Sequence, residues 1–181
     1  MRLTETKLKG SYLIEPERFD DERGFFARVF SAQEFDAHGI GDRFVEGNLS
    51  FNRKRSTLRG MHYQAAPHSQ GKVVRCTSGA IFDVGIDLRS ESPTFKQWVG
   101  FELTAENRFS LFIPSGFAHG YLTLEENTEV YYEVSNFYAP ENSRGIRWND
   151  PAFSIEWPKV GEMVINERDR TYPDFSLCRL H

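Results

Sequence analysis

The middle of the chain alternates short apolar runs with turns rich in Gly, Ser, Asn and Glu. Runs of this length, rich in β-branched and aromatic residues, are typical of strands. We predict strands over residues 44–51, 58–64, 72–77, 80–88, 97–104, 109–113, 116–124 and 128–137. Many short strands at regular spacing favour an antiparallel sandwich or barrel. The pattern therefore predicts an all-β fold.

The N-terminal segment carries shorter patterns. Residues 3–15 predict one or two strands, and residues 25–30 predict another after a charged turn at residues 19–24. Ser31 and Glu34 lie three positions apart and match a capping box, which predicts the start of a short helix. We expect this helix to flank the strands.

The C-terminal part is predicted to be loop-like beyond Pro140, with residues 161–181 packing back onto the strands. No linker, low-complexity run or repeat divides the chain, so residues 1–181 are expected to form a single domain. Cys76 lies in an apolar strand pattern and is expected in the core, and together with Cys178 it makes no disulfide framework.

Composition narrows the classes of function. The net charge of -4 argues against a general nucleic-acid binder, although a few arginines could still form a local anion site. The chain has no apolar run near 18 residues and no apolar signal core at its N-terminus. We therefore expect no membrane association and a cytoplasmic location.

The two-residue period of strands predicts which polar side chains face inward. Tyr132 alternates with apolar neighbours and is expected inside, whereas Tyr131 shares the opposite face with glutamates. Asp83 and Asp87 share one strand face, where a solvated position and a role in a site are both open.

The strand at residues 58–64 combines a cation, an imidazole and an amide. In a regular strand Arg59 and His62 point to opposite faces. A bulge or bend would bring them together, and Gly60 between them is the expected place for it.

A metal site is not favoured. Residues 114–119 resemble the second half of the cupin signature, P-x-G-x-x-H, but the paired histidines and glutamate of the first half are absent. No phosphate-binding glycine loop and no nucleophile elbow occurs either. The motif thus predicts a cupin barrel without a metal.

Proton transfer is the remaining chemistry. Imidazole, ammonium and phenol from His62, Lys72 and Tyr132 supply a base, an electrostatic stabiliser and an acid. This set suits removal of a proton next to a carbonyl. The competing interpretation is that His62 is a structural residue of its strand.

Several ordered motifs resemble one family, the dTDP-4-dehydrorhamnose 3,5-epimerases. They cover residues 19–26, 58–64, 70–75, 79–84, 113–120, 145–151 and 166–169. The resemblance implies a cupin-type jelly-roll barrel with short flanking helices, a homodimer, no cofactor and a nucleotide-sugar substrate. The implied reaction is epimerisation at C3, C5 or both of a 4-keto-6-deoxy sugar, with dTDP-4-dehydro-6-deoxyglucose as the expected substrate.

The resemblance also implies roles for residues. His62 would be the base, oriented by Asp169; Tyr132 would be the acid on the opposite face of the sugar; and Lys72 would stabilise the enolate. Arg23 and Arg59 are implied to hold the diphosphate. Phe19, Phe26 and Tyr138 are expected near the nucleotide, and Asn48, Asp83 and His119 complete the implied binding residues.

The chain departs from the family pattern at three places. Glu46-Gly47-Asn48 stands where Gln, an acid and Asn are common; Arg28 replaces an acidic residue; and Glu133 replaces a neutral or basic one. Similar changes occur in epimerases of GDP- or CDP-linked sugars and in enzymes that invert one carbon. A ketoisomerase on the same scaffold and a non-enzymatic cupin that binds sugars are also open at this point.

Overall fold

Two antiparallel β-sheets form the body of the protein. Its structure, a computed structural model, describes residues 1–175. The strands are β1 (Arg2–Glu5), β2 (Tyr12–Glu15), β3 (Arg18–Asp21), β4 (Gly24–Ala27), β5 (Glu46–Asn52), β6 (Leu58–Gln64), β7 (Lys72–Ser78), β8 (Ala80–Asp87), β9 (Trp98–Thr104), β10 (Ser110–Ile113), β11 (Phe117–Thr123), β12 (Thr128–Val134) and β13 (Ser143–Gly145). The helices are α1 (Ala32–Ala37) and α2 (Glu167–Arg170), with a 3-10 turn at Pro140–Asn142.

The strand order confirms the predicted fold. One sheet has the order β1-β2-β10-β7-β12-β5, the other has the order β13-β6-β11-β8-β9, and β3 pairs with β4 in a separate hairpin. Neighbouring strands within each sheet are antiparallel. The two sheets face each other as a cupin-type jelly-roll barrel with short flanking helices.

The prediction of a turn over residues 19–24 was wrong for its first half. Arg18–Asp21 is strand β3, in which Phe19 pairs with Phe26 of β4. This strand is exposed along its whole length and therefore lacks the buried apolar alternation that marks most strands. The predicted strand at residues 25–30 ends earlier, at Ala27.

Helix α1 covers the outer face of the six-stranded sheet. The Ser31 side chain caps it by accepting a hydrogen bond from the Glu34 backbone N–H, as the capping box predicts. Phe35 is fully buried and packs against Phe112 of the sheet. Within residues 1–175, no helix has the length and apolar character needed to cross a membrane.

The barrel interior changes character along its strands. Residues from both sheets form an apolar cluster between them, which includes Val74, Cys76 and Leu103. Cys76 is therefore in the core, as predicted. Two residues of the same inward faces, Lys72 on β7 and Tyr132 on β12, lie nearer the other end and line a cavity. The apolar end holds the sheets together, and the polar end leaves space for a ligand.

The segment after β13 packs on the outer face of the five-stranded sheet, and Phe175, which belongs to the predicted packing segment 161–181, joins it. Ile146 and Phe153 are buried there against Met61 and Val84. The ring centroids of Phe175 and Phe153 lie 5.1 Å apart. The remainder of the predicted packing segment, residues 176–181 with Cys178, lies outside the described residues.

Candidate active site

A local irregularity in β6 brings Arg59 and His62 to the same side of the sheet. His62 pairs with His119 of β11, but Arg59 pairs with Tyr121, so β6 contains one extra residue at this point. Gly60 has a φ of 125°, and a Cβ there would lie 2.5 Å from the Gly120 Cα. The bend expected at Gly60 is confirmed, because only glycine allows this backbone approach.

The cavity consists of two connected chambers that share His62, Lys72 and Tyr132. The outer chamber has a volume of about 650 Å³, within the roughly 300–1,000 Å³ typical of small-molecule sites. The inner chamber has a volume of about 150 Å³. The outer wall also includes Glu46, Asn48, Gln64, Gln70, Tyr138 and Arg168, and the inner wall includes Ser50, Arg59, His119 and Tyr121.

His62 is paired with Asp169, as the family resemblance implies. The His62 Nε2 lies 2.7 Å from the Asp169 Oδ1, and the Gly60 backbone N–H donates to Oδ2 at 3.0 Å. Since the carboxylate is the acceptor, Nε2 carries the proton and Nδ1 is the nitrogen able to accept one. The rings of Tyr172 and His62 are in edge-to-face contact, with their centroids 6.0 Å apart.

Asp169 is positioned by the segment that leads into α2. A parallel bridge joins Thr57 to Val164, and the Asn166 side chain caps the helix by accepting from the Asp169 backbone N–H at 2.7 Å. Burial alone would raise the pKa of Asp169, but the hydrogen bond and charge of His62 hold that pKa below its ordinary value. The carboxylate is thus kept ionised beside His62.

A second histidine–aspartate pair lies beside the first. The His119 Nε2 is 2.7 Å from the Asp83 Oδ1, and both residues are buried. Burial lowers the pKa of His119, although Asp83 opposes this shift, so the imidazole is neutral at ordinary pH. Among residues 1–175, no three His, Cys, Asp or Glu side chains converge as a metal site.

The solvated interpretation of the two aspartates of β8 was wrong. Asp83 and Asp87 are both fully buried. Asp83 is not among the residues lining either chamber and reaches the site only as the hydrogen-bond partner of His119, whereas the Asp87 carboxylate accepts from Arg89 and from the Ser92 hydroxyl at 2.5 Å. Asp87 therefore anchors a loop and lies outside the site.

Lys72 and Tyr132 present an ammonium and a phenol to both chambers. Burial lowers the pKa of Lys72 to about 8, with Asp83 opposing the shift. Burial also raises the pKa of Tyr132, helped by Tyr121 and opposed by Arg59, so the phenol keeps its proton. Tyr131 projects to the other face, where its hydroxyl donates to Glu133 at 3.1 Å. The inward orientation predicted for Tyr132 is confirmed.

Three predicted binding residues lie away from this cavity in the single chain. Phe19 and Phe26 are 60% and 67% exposed on the β3–β4 hairpin. Arg23 at the hairpin turn is ion-paired with Asp21, its Nη2 lying 2.6 Å from Oδ2. None of the three is among the residues lining either chamber.

Several lining residues were missed by sequence reasoning. Arg168 precedes Asp169 on α2, and its side chain donates to the Ser143 hydroxyl at 2.9 Å at the outer mouth. Tyr121 shares the inward face of β11 with His119, so the two-residue period could have identified it. Ser50 could have been found in the same way from Asn48 on β5.

The assembled cavity is suited to proton transfer on a bound anion. A paired imidazole, a protonated phenol and an ammonium border one space, and guanidinium groups lie in both chambers. This arrangement can remove a proton, stabilise the resulting negative charge and return a proton.

Comparisons with known proteins agree with this chemistry. The family model described as dTDP-4-dehydrorhamnose 3,5-epimerase matches residues 5–176. The enzyme of that name from Salmonella typhimurium (strain LT2) is 47% identical over 175 residues, which cover 96% of this chain and 94% of the relative. The structure of the enzyme of the same name from Elizabethkingia anophelis NUHP1 is 40% identical and has a TM-score of 0.93, covering 97% of this chain and 96% of that one. The dTDP-6-deoxy-D-glucose-3,5-epimerase of Legionella pneumophila Philadelphia 1, in complex with dTDP-4-keto-L-rhamnose, is 40% identical with a TM-score of 0.86, covering 93% and 89% of the two chains.

Proposed function

Because the chain belongs to the dTDP-4-dehydrorhamnose 3,5-epimerase family, we propose that His62 and Tyr132 carry out its proton transfers from opposite sides of the sugar. The chain is an epimerase that inverts C3 and C5 of a dTDP-linked 4-keto-6-deoxy sugar. The observation that carries the assignment of roles is the His62–Asp169 pair on the same cavity as Lys72 and Tyr132.

His62 acts as the base. The ketone at C4 acidifies the protons on C3 and C5, and the unprotonated Nδ1 accepts one of them. Asp169 holds the ring in the required tautomer and stabilises the imidazolium that forms. A positioned base of this kind contributes on the order of 10²–10⁴ in rate.

Lys72 stabilises the enolate that remains. Negative charge develops on the C4 oxygen when the proton leaves, and an ammonium beside that oxygen lowers the barrier. Asp83 lies close enough to Lys72 to oppose the lowering of its pKa, which favours the charged form. His119 is neutral and serves as a further hydrogen-bonding group on the same wall.

Tyr132 returns a proton from the opposite face. A base on one side and an acid on the other invert whichever carbon has lost its proton. The raised pKa of Tyr132 keeps the phenol protonated until the enolate is formed. After the first inversion, His62 releases its proton to solvent and Tyr132 takes one up, and a second cycle at the other carbon then completes the reaction.

The nucleotide end of the substrate is assigned to the outer chamber, with Asn48 and Tyr138 on its wall. Arg59 binds the diphosphate, with Arg23 as its second cation. Since Arg23, Phe19 and Phe26 lie outside the cavity of their own chain, we assign them to the site of a second copy in a homodimer.

Two surfaces of the chain support a homodimer. The aromatic rings of the β3–β4 hairpin are largely exposed, which is unusual for residues without a partner. Strand β5 is an edge of its sheet and exposes Leu49 and Phe51 at 63% and 51%. An exposed apolar edge strand is a ready surface for pairing with another chain.

Proton NMR in D2O with dTDP-4-keto-6-deoxyglucose tests the function. Loss of both the H3 and H5 signals is expected, and loss of one signal would identify an enzyme that inverts a single carbon. The variant His62→Ala should show no exchange at either position. The assignment would be overturned if the wild-type protein exchanged no proton in dTDP-, GDP- or CDP-linked 4-keto sugars.

A further inference from the structure

The inner chamber is bordered by a chain of hydrogen bonds that lies outside the set of proton-transfer groups. It connects Asn52, Tyr121 and Ser50, and a branch from Asn52 reaches Arg59. Asn52 and Tyr121 are only 2% and 4% exposed, so their polar atoms depend on one another for hydrogen bonds. Which group donates and which accepts in each of these hydrogen bonds follows from the donors and acceptors that its partners offer.

The orientation of the Asn52 amide is determined by the backbone. Its Nδ2 donates to the Thr128 carbonyl oxygen at 3.2 Å, and a carbonyl oxygen can only accept. The amide oxygen Oδ1 consequently points the other way and accepts from the Arg59 Nε at 2.8 Å. Arg59 is therefore held through Nε, which leaves its terminal nitrogens available to the chamber that it lines.

The direction of the next two bonds follows from this orientation. The Asn52 Nδ2 also donates to the Tyr121 hydroxyl at 3.3 Å, so that oxygen acts as an acceptor there. The Tyr121 proton then goes to the Ser50 Oγ at 2.9 Å, because the alternative acceptor, the Asn52 Oδ1, lies 3.5 Å from the hydroxyl, at the outer limit of a hydrogen bond.

Ser50 is thereby made a donor. Its oxygen accepts from Tyr121, and no acceptor among residues 1–175 takes its own proton. Ser50 lines the inner chamber together with Arg59. The Ser50 O–H and the terminal nitrogens of Arg59 thus both lack an acceptor among residues 1–175, on a wall that a ligand can reach.

We propose that Asn52 and Tyr121 form a positioning relay that directs the Ser50 hydroxyl and the Arg59 guanidinium toward one oxygen of the substrate. The proposal rests on the proposed function, since it assumes that the nucleotide sugar enters this chamber. Two convergent donors beside Lys72 select an electron-rich oxygen, either of the diphosphate or of the sugar. Ser50 binds the substrate directly, Tyr121 acts through Ser50, and Asn52 acts through Tyr121 and through Arg59.

A double-mutant cycle tests the relay. Ser50→Ala and Tyr121→Phe are each expected to lower kcat/KM roughly ten- to hundredfold, as for one lost hydrogen bond to a charged oxygen. The double variant should be no worse than Ser50→Ala, because Tyr121 acts only through Ser50. Multiplied losses in the double variant, or the absence of any loss in Ser50→Ala, would overturn the relay.

Two further variants separate positioning from stability. Tyr12→Phe removes another hydroxyl, which donates to the His38 carbonyl on the surface, and should leave kcat/KM unchanged. Asn52→Asp can still accept from Arg59 but offers Tyr121 a carboxylate in place of a donor. It should lower kcat/KM as Tyr121→Phe does, and adding Ser50→Ala should then have no further effect. A further loss of kcat/KM in the double variant with Asn52→Asp and Ser50→Ala would contradict the proposed donors and acceptors of these hydrogen bonds.

Calorimetric binding identifies the substrate oxygen. Weaker binding of dTDP to Ser50→Ala than to wild type would assign the contact to the diphosphate. Unchanged binding of dTDP with weaker binding of the dTDP-sugar would assign it to the sugar, and unchanged binding of both would exclude the contact. Because these titrations need no turnover, they are independent of the D2O exchange of the wild-type protein, which tests the proposed function.

Discussion

His62 and Asp169 are 107 residues apart in the chain, yet the His62 Nε2 and the Asp169 Oδ1 lie 2.7 Å apart. The pairing depends on α2 docking beside β6, where the Gly60 N–H donates to the second carboxylate oxygen. The carboxylate therefore fixes the tautomer of His62, and in the proposed mechanism it stabilises the charge that His62 acquires on proton transfer.

The variant Asp169→Asn should lower kcat by a factor on the order of 10²–10⁴, because an amide permits the wrong tautomer and supplies no negative charge. Steady-state kinetics with the dTDP-sugar measures this loss. Asp87→Asn is the matched control, since Asp87 is an equally buried carboxylate outside the cavity. Asp87→Asn should lower the melting temperature and leave kcat within a small factor of wild type; equal kcat losses in both variants would contradict the assigned role of Asp169.

The variant Tyr132→Phe should separate proton removal from inversion. His62 remains able to deprotonate the substrate, so exchange with D2O is expected to continue while product formation falls on the order of 10²–10⁴. NMR measures exchange and product in the same sample. Tyr131→Phe is the matched control, because its hydroxyl lies on the other face of β12 and bonds Glu133. Loss of exchange and product to the same extent in Tyr132→Phe would argue that this phenol is needed before the enolate forms.

Because of Lys72, a plot of kcat/KM against pH should have a descending limb that begins near pH 8. Burial lowers its pKa to about 8, so the ammonium present below that pH is lost as the pH rises through it. The value of kcat/KM, which reports the free enzyme, is expected to fall about tenfold per pH unit well above pH 8. Lys72→Arg should remove this limb because arginine stays charged, and Lys72→Met should lower kcat on the order of 10²–10³ at pH 7. A limb that persists in Lys72→Arg would assign it to another group.

Subunit mixing should reveal whether the β3–β4 hairpin serves a neighbouring site. Arg23→Ala and His62→Ala are each expected to be strongly impaired as pure proteins. When the two are co-expressed, mixed dimers would contain one intact site, restoring roughly a quarter of wild-type activity. Light scattering on the same samples would establish the oligomeric state. A monomer, or mixed samples without recovery, would contradict a hairpin acting across a dimer.

Local periodicity predicted the strands and the orientation of side chains on them. Alternation along β12 separates Tyr132 from Tyr131, and both face as expected. The bend at Gly60 was predicted because two reactive groups of β6 would otherwise point apart. These features depend on neighbouring residues, which a single sequence contains in full.

Features that depend on distant contacts could not be predicted from pattern alone. Arg59 on β6 and Asn52 on β5 belong to different sheets and meet only because the two sheets pack face to face, which no local pattern states. Strand β3 was missed because it is exposed, and exposure removes the apolar alternation by which strands are recognised. The link between His62 and Asp169 was expected only from the family resemblance, since no local pattern connects them.

The division of the barrel interior into an apolar end and a polar end has a consequence for how such a protein can diverge. The packing between the sheets comes mainly from residues such as Val74, Leu103 and Val130, which line neither chamber, although Tyr121 belongs both to this cluster and to the inner wall. Exchanges of wall residues such as Glu46 or Asn48 therefore leave that packing untouched and should be nearly neutral for folding. The same scaffold can thus be retuned for a different nucleotide or sugar by substitutions at one end of the barrel, without compensating changes at the other.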